Sequence, residues 1–151
     1  MYGGDVAIPT RVLTLKGEVA YVMSPDDTAD EYVLYVVEIE RQIGEWLIDV
    51  GYAGEHVRQS RVPLVFAPDR NMAESVIGRA AYTLDPTRTV ILEGAVRQSG
   101  DGFYGKVEYS QAMSARWRLT LTGVGIGGEE EDFLGQYRRN SHAAIALRFS
   151  F

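Results

Sequence analysis

Cysteine is absent from all 151 residues, which excludes disulfide bridges and thiolate metal sites. The chain also lacks the run of about 18 apolar residues that a transmembrane helix requires. Its longest apolar run, Tyr32–Val37, stops at Glu38. Basic residues number 15 against 21 acidic ones, and a formal charge of −6 argues against nucleic-acid binding. Residues 1–5 have neither the basic nor the apolar region of a signal peptide, which indicates a mature form or a fragment if the protein is exported.

What the sequence does contain is a strict alternation of apolar and polar residues. The alternation is clearest at the end, where Ile145, Leu147, Phe149 and Phe151 share one face. Eight alternating segments follow one another, each about as long as a tilted strand that crosses a bilayer, and no helix is predicted. The predicted strands are Val12–Val22, Glu31–Arg41, Glu45–Val57, Ala73–Thr83, Thr89–Gln98, Phe103–Gln111, Ala115–Val124 and Ser141–Phe151.

These segments predict an all-β fold, an eight-stranded antiparallel up-and-down transmembrane β-barrel with a polar, charged lumen. One domain is expected over residues 1–151, with residues 1–10 as a lead-in segment. The even strand count is typical of closed bacterial barrels. Predicted connections are short after the second, fourth and sixth strands and long after the first, third and seventh, which is also typical of outer-membrane barrels. The alternative for the same pattern is a soluble β-sandwich, whose aromatic residues would lie mid-strand in a core.

The aromatic residues favour the membrane interpretation, because they are predicted to form two belts on the apolar face, as two bilayer interfaces require. The belt near the short turns would hold Trp46, Tyr82, Tyr109, Trp117, Phe149 and Phe151. The belt near the long loops would hold Tyr21, Tyr35, Tyr52 and Phe103.

The polar face predicts a lumen charge network, because buried charges persist only when they are paired. Glu18 is expected to be its hub, hydrogen-bonded to a base on the strands that meet at barrel closure. The predicted network comprises Lys16, Glu18, Glu38, Glu40, Asp49, Arg79, Glu93, Arg97, Lys106, Glu108, Arg116, Arg118 and Arg148, with Glu55 on the same face.

Three stretches resemble the C-terminal part of a family of large, poorly characterised proteobacterial porin-like barrels: LTLKGEVAYVMSPDD, EYVLYVVEIERQIGEWLIDVGYAGE and DFLGQYRRNSHAAIALRFSF. The last stretch also looks like the closing strand of bacterial outer-membrane barrels, which ends in Phe and is recognised by the barrel-assembly machinery. The resemblance implies an outer-membrane location in a Gram-negative bacterium, with the lipid bilayer and that machinery as partners. The chain would supply only the last strands of such a barrel, so it is either a small barrel or a C-terminal piece that closes on itself.

The expected function is a structural or porin-like scaffold with a side-chain-filled lumen, without a cofactor, a metal or enzymatic activity. Ser141 and His142 suggest hydrolase chemistry, but neighbours on a strand point to opposite faces. The acidic run Glu129–Asp132 lacks the spaced oxygen ligands of a calcium loop. Two alternatives stay open, a soluble lipocalin-like carrier of a small ligand and a small outer-membrane enzyme.

Overall fold

The computed structural model describes residues 1–23, 30–59, 72–98 and 100–151, and within them it shows one antiparallel sheet of nine strands. Each strand pairs with its neighbours in the chain, so the spatial order is the sequence order. The predicted loops Ser24–Asp30 and Arg58–Arg70 lie mostly outside the described residues. The strands are β1 (Tyr2–Pro9), β2 (Thr14–Val22), β3 (Glu31–Ile43), β4 (Trp46–Gln59), β5 (Ser75–Asp85), β6 (Arg88–Arg97), β7 (Phe103–Ala112), β8 (Trp117–Gly127) and β9 (His142–Phe149), and a 3₁₀ helix (Gly135–Asn140) precedes β9.

The predicted all-β, antiparallel, up-and-down topology is confirmed, but the sheet is open. Across the described ranges β1 pairs only with β2 and β9 pairs only with β8. Every residue in both edge strands is exposed. None of the helices in these ranges has the length and apolar character needed to cross a membrane.

The prediction that residues 1–10 are a lead-in segment was wrong, since Tyr2–Pro9 form β1 and raise the strand count from eight to nine. Gly3, Gly4 and Pro9 disfavour a strand, and they hid the alternation that places Val6 on the apolar face. Pro9 is tolerated because it ends an edge strand, where no ladder hydrogen bond is lost on the outer side.

The eight predicted strands correspond to β2–β9, with ends that differ by a few residues. β3, for example, continues to Ile43 because the turn at Gly44, with φ of 57°, lets Ile43 pair directly with Trp46. Turns after β1, β3, β5 and β7 define one end of the sheet, here the short-turn end. Connections after β2, β4, β6 and β8 leave from the other, the long-loop end.

The sheet is a single layer and has almost no apolar core. In the described ranges the buried apolar residues are Tyr32, Ala73, Ala95 and Leu134. A soluble domain normally packs two layers around one core. Most apolar side chains of this sheet are therefore not buried in a core of the chain itself.

Candidate functional site: two faces of one sheet

Burial on the sheet is inverted relative to a soluble protein, because the apolar face is the more exposed one. On β4 the charged Asp49 is half-buried, whereas its neighbour Val50 is 52% exposed. On β7, Lys106 is half-buried and Val107 is 48% exposed. The exposed apolar side chains extend across the sheet: Val6, Ile8, Leu15, Val19, Val37, Ile39, Trp46, Val50, Val76, Leu92, Val96, Phe103, Val107, Trp117, Leu121, Ile145, Leu147 and Phe149.

The predicted short-turn belt is assembled by strand pairing. Trp46 lies opposite Tyr82, and their ring centroids are 4.6 Å apart. Trp117 lies opposite Phe149 at 4.9 Å. Tyr109 is on the same face, and its hydroxyl donates to Gln111 Oε1 at 2.9 Å. The remaining predicted member, Phe151, is fully exposed beyond the end of β9.

The predicted long-loop belt is looser and carries polar contacts at its rim. The rings of Tyr35 and Tyr52 are 6.4 Å apart. The Tyr52 hydroxyl donates to Gln98 Oε1 at 3.0 Å, and the Tyr21 hydroxyl donates to Glu31 Oε2 at 3.1 Å. An apolar ring with a hydrogen-bonded hydroxyl suits a boundary between an apolar and an aqueous phase.

Two glycines in this belt are covered by rings from the neighbouring strand. Gly54 lies opposite Tyr35, and a Cβ at Gly54 would collide with the Tyr35 ring. Gly127 stands in the same relation to Phe103 on β7. An aromatic ring over a cross-strand glycine stabilises the register of a sheet. Sequence reasoning missed these pairs because their residues are far apart in the chain.

The polar face carries a chain of ion pairs that alternates in sign and crosses β2 to β7. Lys16 Nζ lies 2.6 Å from Glu40 Oε2 and 3.5 Å from Asp49 Oδ1, and Asp49 Oδ2 lies 3.9 Å from Arg79 Nη1. Arg79 and Lys106 then both reach Glu93, at 3.6 and 3.4 Å. The full set, here the charge ladder, is Glu40, Lys16, Asp49, Arg79, Glu93, Lys106 and Glu108, the last pair being 3.1 Å apart.

The ladder side chains are between 18% and 38% exposed. A single pair at that exposure contributes at most about 1 kcal/mol. A network in which most of the pairs join different strands also fixes the register, because a slip by one residue would move every charge of a strand to the other face.

Other predicted network residues lie apart from the ladder. Glu18 is exposed and forms no ion pair or side-chain hydrogen bond with the described residues, so Asp49, which reaches Lys16 and Arg79, takes the junction role expected of Glu18. The predicted members that the structure does not connect to the ladder are Glu18, Glu38, Arg97, Arg116, Arg118 and Arg148, and Glu55 also stands outside it.

Arg97 instead pairs with the connection after β8. Its Nη1 lies 2.6 Å from Asp132 Oδ2, and the two side chains are only 16% and 5% exposed. Asp132 Oδ1 also accepts a hydrogen bond from the Leu134 amide at 2.8 Å. A Cβ on Gly102 would collide with the Asp132 carboxylate, so the connection after β8 lies close against the start of β7. Within the described part of the chain, no group of three or more His, Asp or Glu is arranged to hold a metal ion.

Ser141 and His142 lie together but bond to the backbone rather than to each other. Ser141 Oγ accepts from the Ile126 amide at 2.9 Å and lies 2.9 Å from the Arg138 carbonyl oxygen, to which it donates. His142 Nδ1 lies 2.7 Å from the Asn140 carbonyl oxygen. The serine hydroxyl therefore ties β8 to the 3₁₀ helix. The other histidine, His56, lies on β4 opposite Val33.

No protein-family model, curated protein or solved structure matches this chain. The resemblance to porin-like barrels therefore stays a prediction. Function has to be inferred from the faces, edges and charges of the sheet.

Proposed function

We propose that the protein is an integral β-barrel protein of the bacterial outer membrane, a scaffold whose apolar face contacts lipid and whose charged face lines the interior. The inverted burial carries this proposal. Monomeric soluble proteins rarely expose contiguous apolar patches larger than a few hundred Å², whereas here the exposed apolar side chains run from β1 to β9. A bilayer is the environment in which such a face is stable.

The aromatic pairs support the orientation of the sheet in the membrane. The Trp46–Tyr82 and Trp117–Phe149 pairs lie at the short-turn end, and Tyr35 and Tyr52 lie towards the long-loop end. Aromatic girdles at both interfaces and short turns on the periplasmic side are typical of outer-membrane barrels. The strand that ends in Phe149 is the proposed contact for the barrel-assembly machinery.

The charge ladder supports a scaffold rather than an open pore. A barrel of about eight strands is just wide enough for its side chains to fill, and the ladder places long charged side chains across most of the polar face. We expect no stable porin-sized conductance from the purified monomer in a planar bilayer. Such conductance would favour the C-terminal part of a larger porin.

Detergent dependence tests the proposal against a soluble carrier. The chain is refolded with and without detergent micelles and followed by circular dichroism and heat-modifiable gel mobility. We expect β-structure and a mobility shift only with detergent, because the apolar face needs an apolar phase. A monomer that folds equally well in plain buffer would contradict membrane insertion and favour the carrier.

A further inference from the structure

The backbone hydrogen-bonding groups at the two edges of the sheet are incompatible with the hydrocarbon of a membrane unless another strand pairs with them. The outer backbone groups of β1 and β9 have no ladder partner in the described structure, and every residue in both strands is exposed. In hydrocarbon every backbone polar group needs an internal partner, so an open sheet edge does not occur there. Some strand must therefore cover these edges in the membrane, an inference that rests on the proposed function.

The β1 edge carries two carboxylates that lie side by side. Asp5 on β1 is directly opposite Glu18 on β2, and both belong to the polar face. Neither makes an ion pair or a side-chain hydrogen bond with any residue that the structure describes. Like charges directly opposite each other destabilise a sheet. A positively charged partner at this edge would relieve that repulsion.

The β9 edge carries the opposite arrangement. Arg118 on β8 is directly opposite Arg148 on β9, again on the polar face. Arg118 donates to Ser110 Oγ at 3.2 Å, and in the described ranges no carboxylate forms an ion pair with either arginine. One edge therefore presents two acids and the other presents two bases.

The strand directions determine how these edges could meet. The chain passes up and down through nine strands, so β1 and β9 both run from the long-loop end to the short-turn end and would pair in parallel. The pairing that starts at Asp5 leads in turn to Glu18, Val36, Ala53, Ser75 and Arg97.

This series of paired residues approaches the long-loop end as it crosses the sheet, because Asp5 is mid-strand whereas Arg97 is the last residue of β6 at the long-loop end. When the same registers are extended through β7, β8 and β9, the series reaches position 138. Position 138 is ten residues before Arg148. Strands that tilt by about 35–45° in a nine-stranded barrel require an offset of roughly 9–13 residues on closure. The offset must also be even to keep the polar side chains on one face, and an offset of ten places Asp5 beside Arg148.

We propose that β1 and β9 of one chain pair in parallel in the membrane, and that Asp5 and Arg148 form the ion pair of this seam. The pairing closes the sheet into a nine-stranded barrel, an odd count that departs from the even count typical of bacterial outer-membrane barrels. It also satisfies both edges at once. Glu18 and Arg118 flank the pair, so the two acids of one edge and the two bases of the other become a balanced group of four charges. The partner edge lies on the same chain, which gives it a far higher effective concentration than an edge on a second copy.

Cross-linking tests the seam, and the absence of cysteine makes the chain suited to it. Gly4→Cys provides one thiol, because no atom lies within 4 Å of a Cβ at that position. It is combined in turn with Ile145→Cys, Leu147→Cys or Phe149→Cys, which lie on the apolar face of β9. Each variant is refolded in detergent and treated with dibromobimane, which fluoresces when it bridges two nearby thiols. Gly4→Cys with Val50→Cys, on the interior strand β4, is the control.

We expect bridging within one chain, strongest for Gly4→Cys with Leu147→Cys, and several-fold above the control. Bridging that appears only between chains, as a dimer on a denaturing gel, would overturn the proposal in favour of a barrel made from two copies. Background labelling for all three pairs would overturn it and leave the edges to strands from elsewhere. Wild-type folding without detergent would overturn both this inference and the proposed function, so the two failures are distinguishable.

A double-mutant cycle tests the ion pair itself. Asp5→Asn, Arg148→Gln and the double variant are compared by the urea midpoint in detergent. We expect the double variant to be shifted by clearly less than the sum of the single shifts. The control cycle combines Asp5→Asn with Arg88→Gln, whose side chain pairs with Asp85 at the β5–β6 turn, and should be additive. Additive behaviour in both cycles would refute the Asp5–Arg148 contact.

Discussion

The substitution Leu92→Arg distinguishes a sheet whose apolar face contacts lipid from one whose apolar face contacts water. Leu92 lies at the centre of β6, between Ala80 and Val107 on the neighbouring strands, and is 46% exposed. At a half-exposed position in water, a substitution changes stability by about 0.5 kcal/mol or less. On the lipid face at the bilayer midplane, arginine costs about 2–4 kcal/mol. We therefore expect Leu92→Arg to destabilise the protein strongly in lipid.

Ile91→Arg is the matched control, because it introduces the same side chain one residue away on the other face. Ile91 lies opposite Ala81 on β5 and Glu108 on β7. An arginine there can pair with the Glu108 carboxylate, so its cost is the loss of a partly buried apolar side chain, about 1 kcal/mol. The membrane proposal thus predicts a larger effect at position 92 than at position 91. Since Ile91 is the less exposed of the two, a soluble sheet predicts the reverse.

The assay is a urea titration of both variants and wild type in lipid vesicles, followed by heat-modifiable gel mobility. With a urea slope of about 2 kcal/mol per molar, Leu92→Arg should lower the midpoint by roughly 1–2 M. Ile91→Arg should lower it by about half a molar or less. Equal midpoints for the two variants, or a lower midpoint for Ile91→Arg, would refute the assignment of the faces.

Two further predictions concern the long-loop end. Asp132→Ala should lower stability by about 3 kcal/mol because it removes the carboxylate, itself 5% exposed, that contacts the mostly buried Arg97 guanidinium on β6. Glu130→Ala removes an exposed pair and should cost under about 1 kcal/mol. Similar urea midpoints for the two variants would show that the Asp132 contact is solvated. Gly54→Val should cost about 1–3 kcal/mol because it displaces the Tyr35 ring, whereas Gly94→Val, with no atom closer than 3.5 Å to its Cβ, should cost less. Equal thermal stabilities for the two glycine variants would contradict the role of the ring.

Alternation predicted most of the sheet because a strand that separates two phases has to alternate. The faces assigned from sequence match the registers: Trp46 pairs with Tyr82, and Asp49 pairs with Arg79. Strand ends were less accurate, since they depend on the partner strand rather than on local pattern. The 3₁₀ helix Gly135–Asn140 was missed because it is held by contacts from elsewhere, among them Ser141 Oγ to the Ile126 amide.

The polar face was predictable as a set of charges but not as a set of pairs. Alternation places Lys16 and Asp49 on the same face, but it does not reveal that Lys16 reaches past β3 to a carboxylate on β4. The departure of Arg97 towards Asp132 was also unpredictable, because it depends on how the connection after β8 folds back. Pairing choices of this kind follow from side-chain length and register, which a single strand pattern does not contain.

The neighbours of Glu18 differ from those predicted because of the additional strand β1. With eight strands, β2 would be the first strand, and its acid would face the closing strand and Arg148. The structure adds β1 outside β2, so Glu18 now faces Asp5 and Arg148 lies at the opposite edge. The acid at a closing seam therefore changes from Glu18 to Asp5, and the seam changes from antiparallel to parallel because the strand count becomes odd. The electrostatic requirement is the same in both cases: Arg118 and Arg148 need carboxylates that their own strands do not supply.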